Sequence, residues 1–128
     1  MNNKVFNTLQ QNELNAVLMY KALAEKMESD SDKELLLSLA ADEGRHAGIL
    51  KEITGAIMQP KSGLAKTVSA LYGLIGKKAL FSMISKVEFS AGKLYDEIEK
   101  KNAELFEQYP KLKQLAADEK KHGELLKK

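Results

Sequence analysis

LAADEGRH, from Leu39 to His46, and LAADEKKH, from Leu115 to His122, are one frame written twice. Six of eight letters agree at an offset of 76 residues (39 to 115), and the two copies hold both histidines of the chain. Each copy places a glutamate three residues before its histidine, and residues three apart share one face of an α-helix. Glu43 and His46 therefore point the same way, as do Glu119 and His122.

Working outward from these frames, the chain reads as helix almost throughout, with no period-2 alternation bounded by turn residues. A first helix carries Phe6, Leu9, Glu13, Ala16, Val17, Tyr20, Leu23, Ala24 and Met27 on one face and ends near residues 29–32, whose SDSD supplies caps for the next helix. A second helix, from about Asp32 to Ala56, has the inner stripe Leu36, Leu39, Glu43, His46, Leu50 and Ile53. Gln59-Pro60-Lys61-Ser62-Gly63 breaks the chain. A helical stretch from Leu64 is weakened at Gly73 and Gly76. By about Ala79 a third core helix is under way, with Phe81, Ile84, Glu88, Ala91, Tyr95, Ile98 and Leu105 inside, stopping at Tyr109-Pro110. The fourth, Lys111 to about Leu126, turns Leu112, Leu115, Glu119, His122 and Leu126 inward. Short links within each pair and one long link between pairs predict an all-α four-helix bundle with one crossover containing an extra helical segment. As a single domain over residues 1–128, it divides into helix pair 1–56, crossover 57–79 and helix pair 80–128.

Composition agrees. A chain of 128 residues, 44% apolar and 30% charged, suits one globular domain. The absence of cysteine excludes disulfides, thiolate metal sites, iron–sulfur clusters and a cysteine nucleophile. The opening MNNKVFNTLQ has no long apolar core of a signal peptide, so the cytoplasm is the expected location. A net charge of +2 with interspersed signs argues against nucleic acid as a partner. Lys120, Lys121, Lys127 and Lys128 read as cations at a helix C-terminus, where they complement its dipole, rather than as a phosphate-binding tail. Lys77 and Lys78 interrupt the apolar run Thr67–Ile84, and neither half reaches the ~20 residues of a membrane span.

The inner stripes carry carboxylates where apolar residues belong. Glu13 and Glu88 interrupt the first and third helices, each followed seven residues later by a tyrosine, Tyr20 and Tyr95. Glu13 to Glu43 spans 30 residues and Glu88 to Glu119 spans 31, so the chain is a duplicated helix pair in pattern. Two pairs packed with pseudo-twofold symmetry bring four glutamates and two histidines to one level of the core. Four buried carboxylates without compensation cost many kcal/mol, and two divalent cations balance them. Oxygen and imidazole donors suit iron, manganese or zinc. A zinc hydrolase fits poorly, because HExxH is absent.

Glu13, the DExxH of 42–46, Glu88 and the DExxH of 118–122 resemble the ligand pattern of the ferritin-like di-iron carboxylate proteins over essentially the whole chain. The nearest branch is the rubrerythrin group, to whose third helix LYGLIGKKALFSMISKVEFSAGKLYDEI is also similar. The resemblance implies a centre of two iron ions, bridged by Glu43 and Glu119, with Glu13 and Glu88 as terminal ligands and His46 and His122 completing the spheres. It makes these four glutamates the catalytic residues, and it gives Asp42 and Asp118 the role of supporting the histidine on the opposing helix. Tyr20 and Tyr95 become the tyrosines that hydrogen-bond near the metals. Two alternatives stay open: core aromatics with satisfied hydroxyls for the tyrosines, and solvated flanks for the aspartates. Met19, Met27, Met58 and Met83 read as packing residues.

Two departures from the group bear on function. Rubrerythrins usually carry a further glutamate three residues after the third-helix ligand, and here that position is Ala91. These 128 residues hold no cysteine, so no rubredoxin-like electron-transfer domain is expected among them. The resemblance thus implies a redox enzyme that oxidises Fe(II) with hydrogen peroxide or dioxygen, as peroxidase or ferroxidase in oxidative-stress defence, and that depends on an external electron-donor protein. The alternatives are iron binding or storage, and iron sensing without turnover. The apolar 55–79 segment has little core left to cover, which points to a homodimer, with helix swapping open; membrane contact by residues 64–80 is the lesser reading.

Overall fold

The computed structural model describes residues 3–128, and among them there is no strand. Five α-helices follow in order: α1 Asn3–Lys26, α2 Asp30–Thr54, α3 Gly63–Lys101, α4 Ala103–Gln108 and α5 Lys113–Lys127, with a 3-10 turn at Pro110–Leu112. The all-α, ferritin-like class expected from the sequence holds. No helix among the described residues is long and apolar enough to cross a membrane. The chain forms two compact units, Met1–Leu74 and Ile75–Lys128.

In the first unit α1 and α2 pack together as a hairpin. The turn starts α2 two residues earlier than the sequence suggests, because Ser29, in extended conformation, caps it by accepting from the Asp32 amide. Asp30 and Asp32 then sit in the first turn, where the helix dipole favours acids. Gly55 closes α2 in the left-handed conformation, φ 66°, and its amide donates to Lys51 O at 2.8 Å. The chain leaving α2 is then tied along α1. Gln10 Nε2 donates to Ala56 O at 3.0 Å, Gln11 Nε2 donates to Gln59 O at 3.0 Å, and the Lys61 amide donates to Asn15 Oδ1 at 2.8 Å. Beyond Gly63, α3 buries Ala65 and Val68.

In α3 the helix breaks at Gly76, φ 82° and ψ 174°, a region essentially closed to residues with a Cβ. From Lys77 the helix resumes and packs within the second unit against α5. The approach is close at two glycines: a Cβ on Gly123 would stand 2.8 Å from the Phe89 ring, and one on Gly92 would stand 3.2 Å from Ala116 O. Ser85 Oγ donates to Gly123 O at 2.7 Å inside this contact.

The third core helix is shorter than its apolar pattern suggests. Asn102 ends α3, its side chain donating to Ile98 O at 2.8 Å and its amide to Glu99 O at 3.1 Å. Short polar side chains compete for helix carbonyls in this way. The residues beyond form α4, which buries Phe106 rather than the expected Leu105. Pro110 opens a single 3-10 turn ahead of α5.

Burial extends the duplicated frame well beyond the quoted stretches. Phe6, Leu9, Gln10, Glu13, Tyr20 and Leu23 are buried, and so are the residues 75 positions on: Phe81, Ile84, Ser85, Glu88, Tyr95 and Ile98. The same holds between Leu36, Leu39, Ala40, Glu43, His46 and Leu50 and the residues 76 positions on, from Leu112 to Leu126. Each unit thus contains one helix pair with one inner face.

Candidate metal centre

In the first unit α1 presents Glu13 and α2 presents Glu43 and His46. His46 Nδ1 lies 2.7 Å from Glu13 Oε2 and 3.2 Å from Glu43 Oε1. In the second unit α3 presents Glu88 and α5 presents Glu119 and His122. His122 Nδ1 lies 3.5 Å from Glu88 Oε2 and 3.4 Å from Glu119 Oε1. Within either set, one donor atom from each of the three residues lies within 4.8 Å of the others. All six residues are buried, the two imidazoles completely.

These spacings are those of a coordination sphere. Metal–ligand bonds of about 2.1 Å, set at octahedral to tetrahedral angles, place donors roughly 3.0–3.4 Å apart. Three of the four distances fall close to that range. The fourth, between His46 and Glu13, is that of a charge-assisted hydrogen bond. In both units it is Nδ1 that faces the carboxylates, a choice that no sequence pattern expresses.

The charges fit as well. Each unit buries two carboxylates and one imidazole; with the imidazole neutral, one divalent cation balances them. Buried carboxylates without such a partner are among the costliest features a core can hold. The donors are oxygen and nitrogen, with no thiolate, which suits iron, manganese or zinc. Glu13, Glu43 and His46 can hold one ion, and Glu88, Glu119 and His122 another.

Tyr20 and Tyr95, expected near the metals, are both buried, one on α1 and one on α3. Asp42 and Asp118 are half-buried. Asp42 faces Arg45 Nη2 at 3.6 Å, and an ion pair this exposed contributes about 0–1 kcal/mol. Ala91, where the extra glutamate would stand, is half-buried on α3.

Two buried polar residues escaped the sequence reading. Gln10 stands one turn before Glu13, and Ser85 one turn before Glu88. Gln10 takes a short hydrogen bond from Thr54 Oγ1 and holds the end of α2, while Ser85 holds the backbone beside His122. Their common position in the duplicated frame was the available signal. Each ties the helix bearing the lone glutamate to the helix bearing Glu-x-x-His, which fixes the register between them.

The donor pattern can be set against known proteins. Neither the curated proteins nor the solved structures give a match. A family model described as rubrerythrin matches residues 10–73, half of the chain, spanning Glu13, Glu43 and His46. With its helical fold, its buried carboxylate–imidazole sets and this match, the chain belongs to the rubrerythrin family.

Proposed function

We propose that this chain is a rubrerythrin-like di-iron protein that oxidises Fe(II) with hydrogen peroxide or dioxygen and draws electrons from an external donor protein. Glu13, Glu43 and His46 would hold one ion and Glu88, Glu119 and His122 the other, with Glu43 and Glu119 in the bridging roles that the family resemblance implies. The observation that carries this reading is the repeated triad of buried donors, Glu13 with Glu43 and His46, and Glu88 with Glu119 and His122.

A bound pair of Fe(II) ions would supply two electrons, one from each, enough to reduce one hydrogen peroxide to two waters with uptake of two protons. The protein's part is positioning and exclusion. Burial of the six donors keeps bulk water from competing for the ions, and the lowered local dielectric strengthens each carboxylate–cation interaction. Gln10 and Ser85 hold the register that brings the donors of each pair together. Tyr20 and Tyr95 supply hydroxyls from the helices that bear Glu13 and Glu88. A homodimer is supported by large apolar side chains exposed on α3, among them Val87 at 65% and Leu94 at 47%.

The test is an anaerobic Fe(II) titration of apo-protein, followed by stopped-flow mixing with peroxide and with dioxygen. Saturation at two irons per chain with faster oxidation by peroxide is expected. Two irons bound but oxidised slowly by both would turn the reading to iron storage or sensing, and no iron bound would end it.

A further inference from the structure

A cleft of about 780 Å³ lies wholly within the second unit, and its chemistry is unlike that of the donor sets. Five lysines line it, Lys77, Lys78, Lys86, Lys127 and Lys128, and no acidic residue does. Among the described residues Lys78, Lys86, Lys127 and Lys128 make no ion pair. The apolar lining is Phe81, Phe89 and Leu126, and the hydroxyl of Ser82 adds a polar edge.

The placement of the lysines is informative. Lys127 and Lys128 end α5, where cations complement the helix dipole, and need no further explanation. Lys78 does need one. The helix restarts after Gly76, so Lys78 occupies its first turn, where the dipole is already positive. Lys86 adds a further charge two turns along the same helix. Positive charge gathered against a positive helix end, with no acidic side chain in the lining, favours an anion between them.

The apolar side is equally specific. Phe81 is buried, and Lys77 Nζ stands 5.6 Å from its ring centroid, which places a cation over an aromatic face at the cleft. The Phe89 ring is seated on Gly123, whose missing Cβ leaves it room. Ser85 is engaged with Gly123 O, so it shapes the floor rather than competing for a ligand. The volume lies in the range of small-molecule sites, roughly 300–1,000 Å³. Ammonium groups bind phosphate as point charges, and aromatic rings accept a flat ring system.

We propose that this cleft binds a flat aromatic anion carrying two or more negative charges, the class to which nucleotides and flavin nucleotides belong. Neither ring nor charge alone fills it: the phosphate meets the lysines and the ring system lies against the half-buried Phe89, with Phe81 in the floor. The site is independent of the metal reading, since no lining residue is a proposed ligand, and it is tested on metal-free full-length protein.

Flavin mononucleotide is the probe, titrated by fluorescence quenching at low and at moderate salt, with riboflavin and inorganic phosphate alongside. Flavin mononucleotide is expected to bind at least about tenfold more tightly than riboflavin, to weaken with salt, and to resist displacement by equal phosphate. The triple change Lys78→Gln, Lys86→Gln and Lys127→Gln should weaken it by about tenfold or more. Lys100→Gln with Lys101→Gln, outside the cleft, should leave it unchanged. Phe89→Leu should weaken flavin mononucleotide and riboflavin together, and thermal melts of each variant report whether the fold is intact. Equal affinity for flavin mononucleotide and riboflavin, displacement by equimolar phosphate, or indifference to the triple change would overturn the proposal. So would co-sedimentation with phosphatidylglycerol vesicles in the absence of flavin mononucleotide binding, which would assign the lysines to lipid headgroups.

Discussion

His46 Nδ1 meets Glu13 Oε2 at 2.7 Å, across 33 residues of chain. The contact joins α2 to α1 at the centre of the first unit, and it has two chemical meanings. Without an ion, the imidazole N–H donates to the carboxylate and each group relieves the other's burial. With an ion, the same nitrogen must be unprotonated, and nitrogen and oxygen become neighbours in one coordination sphere. In the second unit, His122 and Glu88 stand apart at 3.5 Å, closer to the spacing that an ion imposes.

Removing single donors should separate shared from private ligands. On the proposed bridging roles, Glu43→Ala and Glu119→Ala are each expected to lose both ions. Glu13→Ala and Glu88→Ala are expected to keep one. Metal content per chain after anaerobic loading and desalting reads this directly, and two ions retained by Glu43→Ala would sink the bridging role.

Metal removal should lower stability sharply. A ligand at 1,000 times its Kd stabilises the folded state by about 4 kcal/mol. In a chain of this size that corresponds to a rise in Tm of roughly 10–20 °C. Calorimetry of apo-protein against protein loaded anaerobically with Fe(II), Mn(II) or Zn(II) measures the shift. Glu43→Ala should abolish it. An unchanged Tm in wild-type protein with any of the three ions would count against a metal centre.

Gly73 and Gly76 stand three residues apart in one helix, yet alanine should have opposite effects at the two. A Cβ at either position meets nothing within 4 Å, so space does not distinguish them. Backbone conformation does, since only Gly76 has positive φ. Gly76→Ala is expected to cost about 1–3 kcal/mol, and Gly73→Ala to gain about 0.5–1 kcal/mol from helix propensity. Urea denaturation gives both values, and a stabilising Gly76→Ala would mean that the break is not fixed.

Gly123 and Gly48 are a second contrasting pair. Gly48 is open, and Gly48→Ala should stabilise by up to about 1 kcal/mol. At Gly123 the new methyl would stand 2.8, 2.8 and 3.0 Å from three atoms of the Phe89 ring, which must move. Overpacking of this kind costs about 1–3 kcal/mol, so Gly123→Ala should destabilise despite its better propensity. Equal effects at both positions in urea denaturation would show that the ring yields freely.

Much of this was legible beforehand. Glu43 with His46, and Glu119 with His122, could be placed on one face because 3.6 residues per turn fixes that geometry whatever surrounds it. Glu13 and Glu88 stood out as charges in apolar stripes. The interruption of the crossover helix was readable as a weakness at two glycines, but not which of them would break. The end of α3 at Asn102 was missed because the apolar stripe runs past it, and a side-chain hydrogen bond to Ile98 overrides that pattern.

The amino-acid sequence by itself determined the helices, their inner faces and the identity of the buried donors, because these follow from local periodicity and from charge in apolar surroundings. Tertiary structure alone decided that Nδ1 faces the carboxylates, that Gln10 and Ser85 set the register of each pair, and that lysines from the start of one helix and the end of another share a cleft with two phenylalanines. Each of these joins groups far apart along the chain, and their distances depend on how side chains pack across helices, which helical periodicity does not encode.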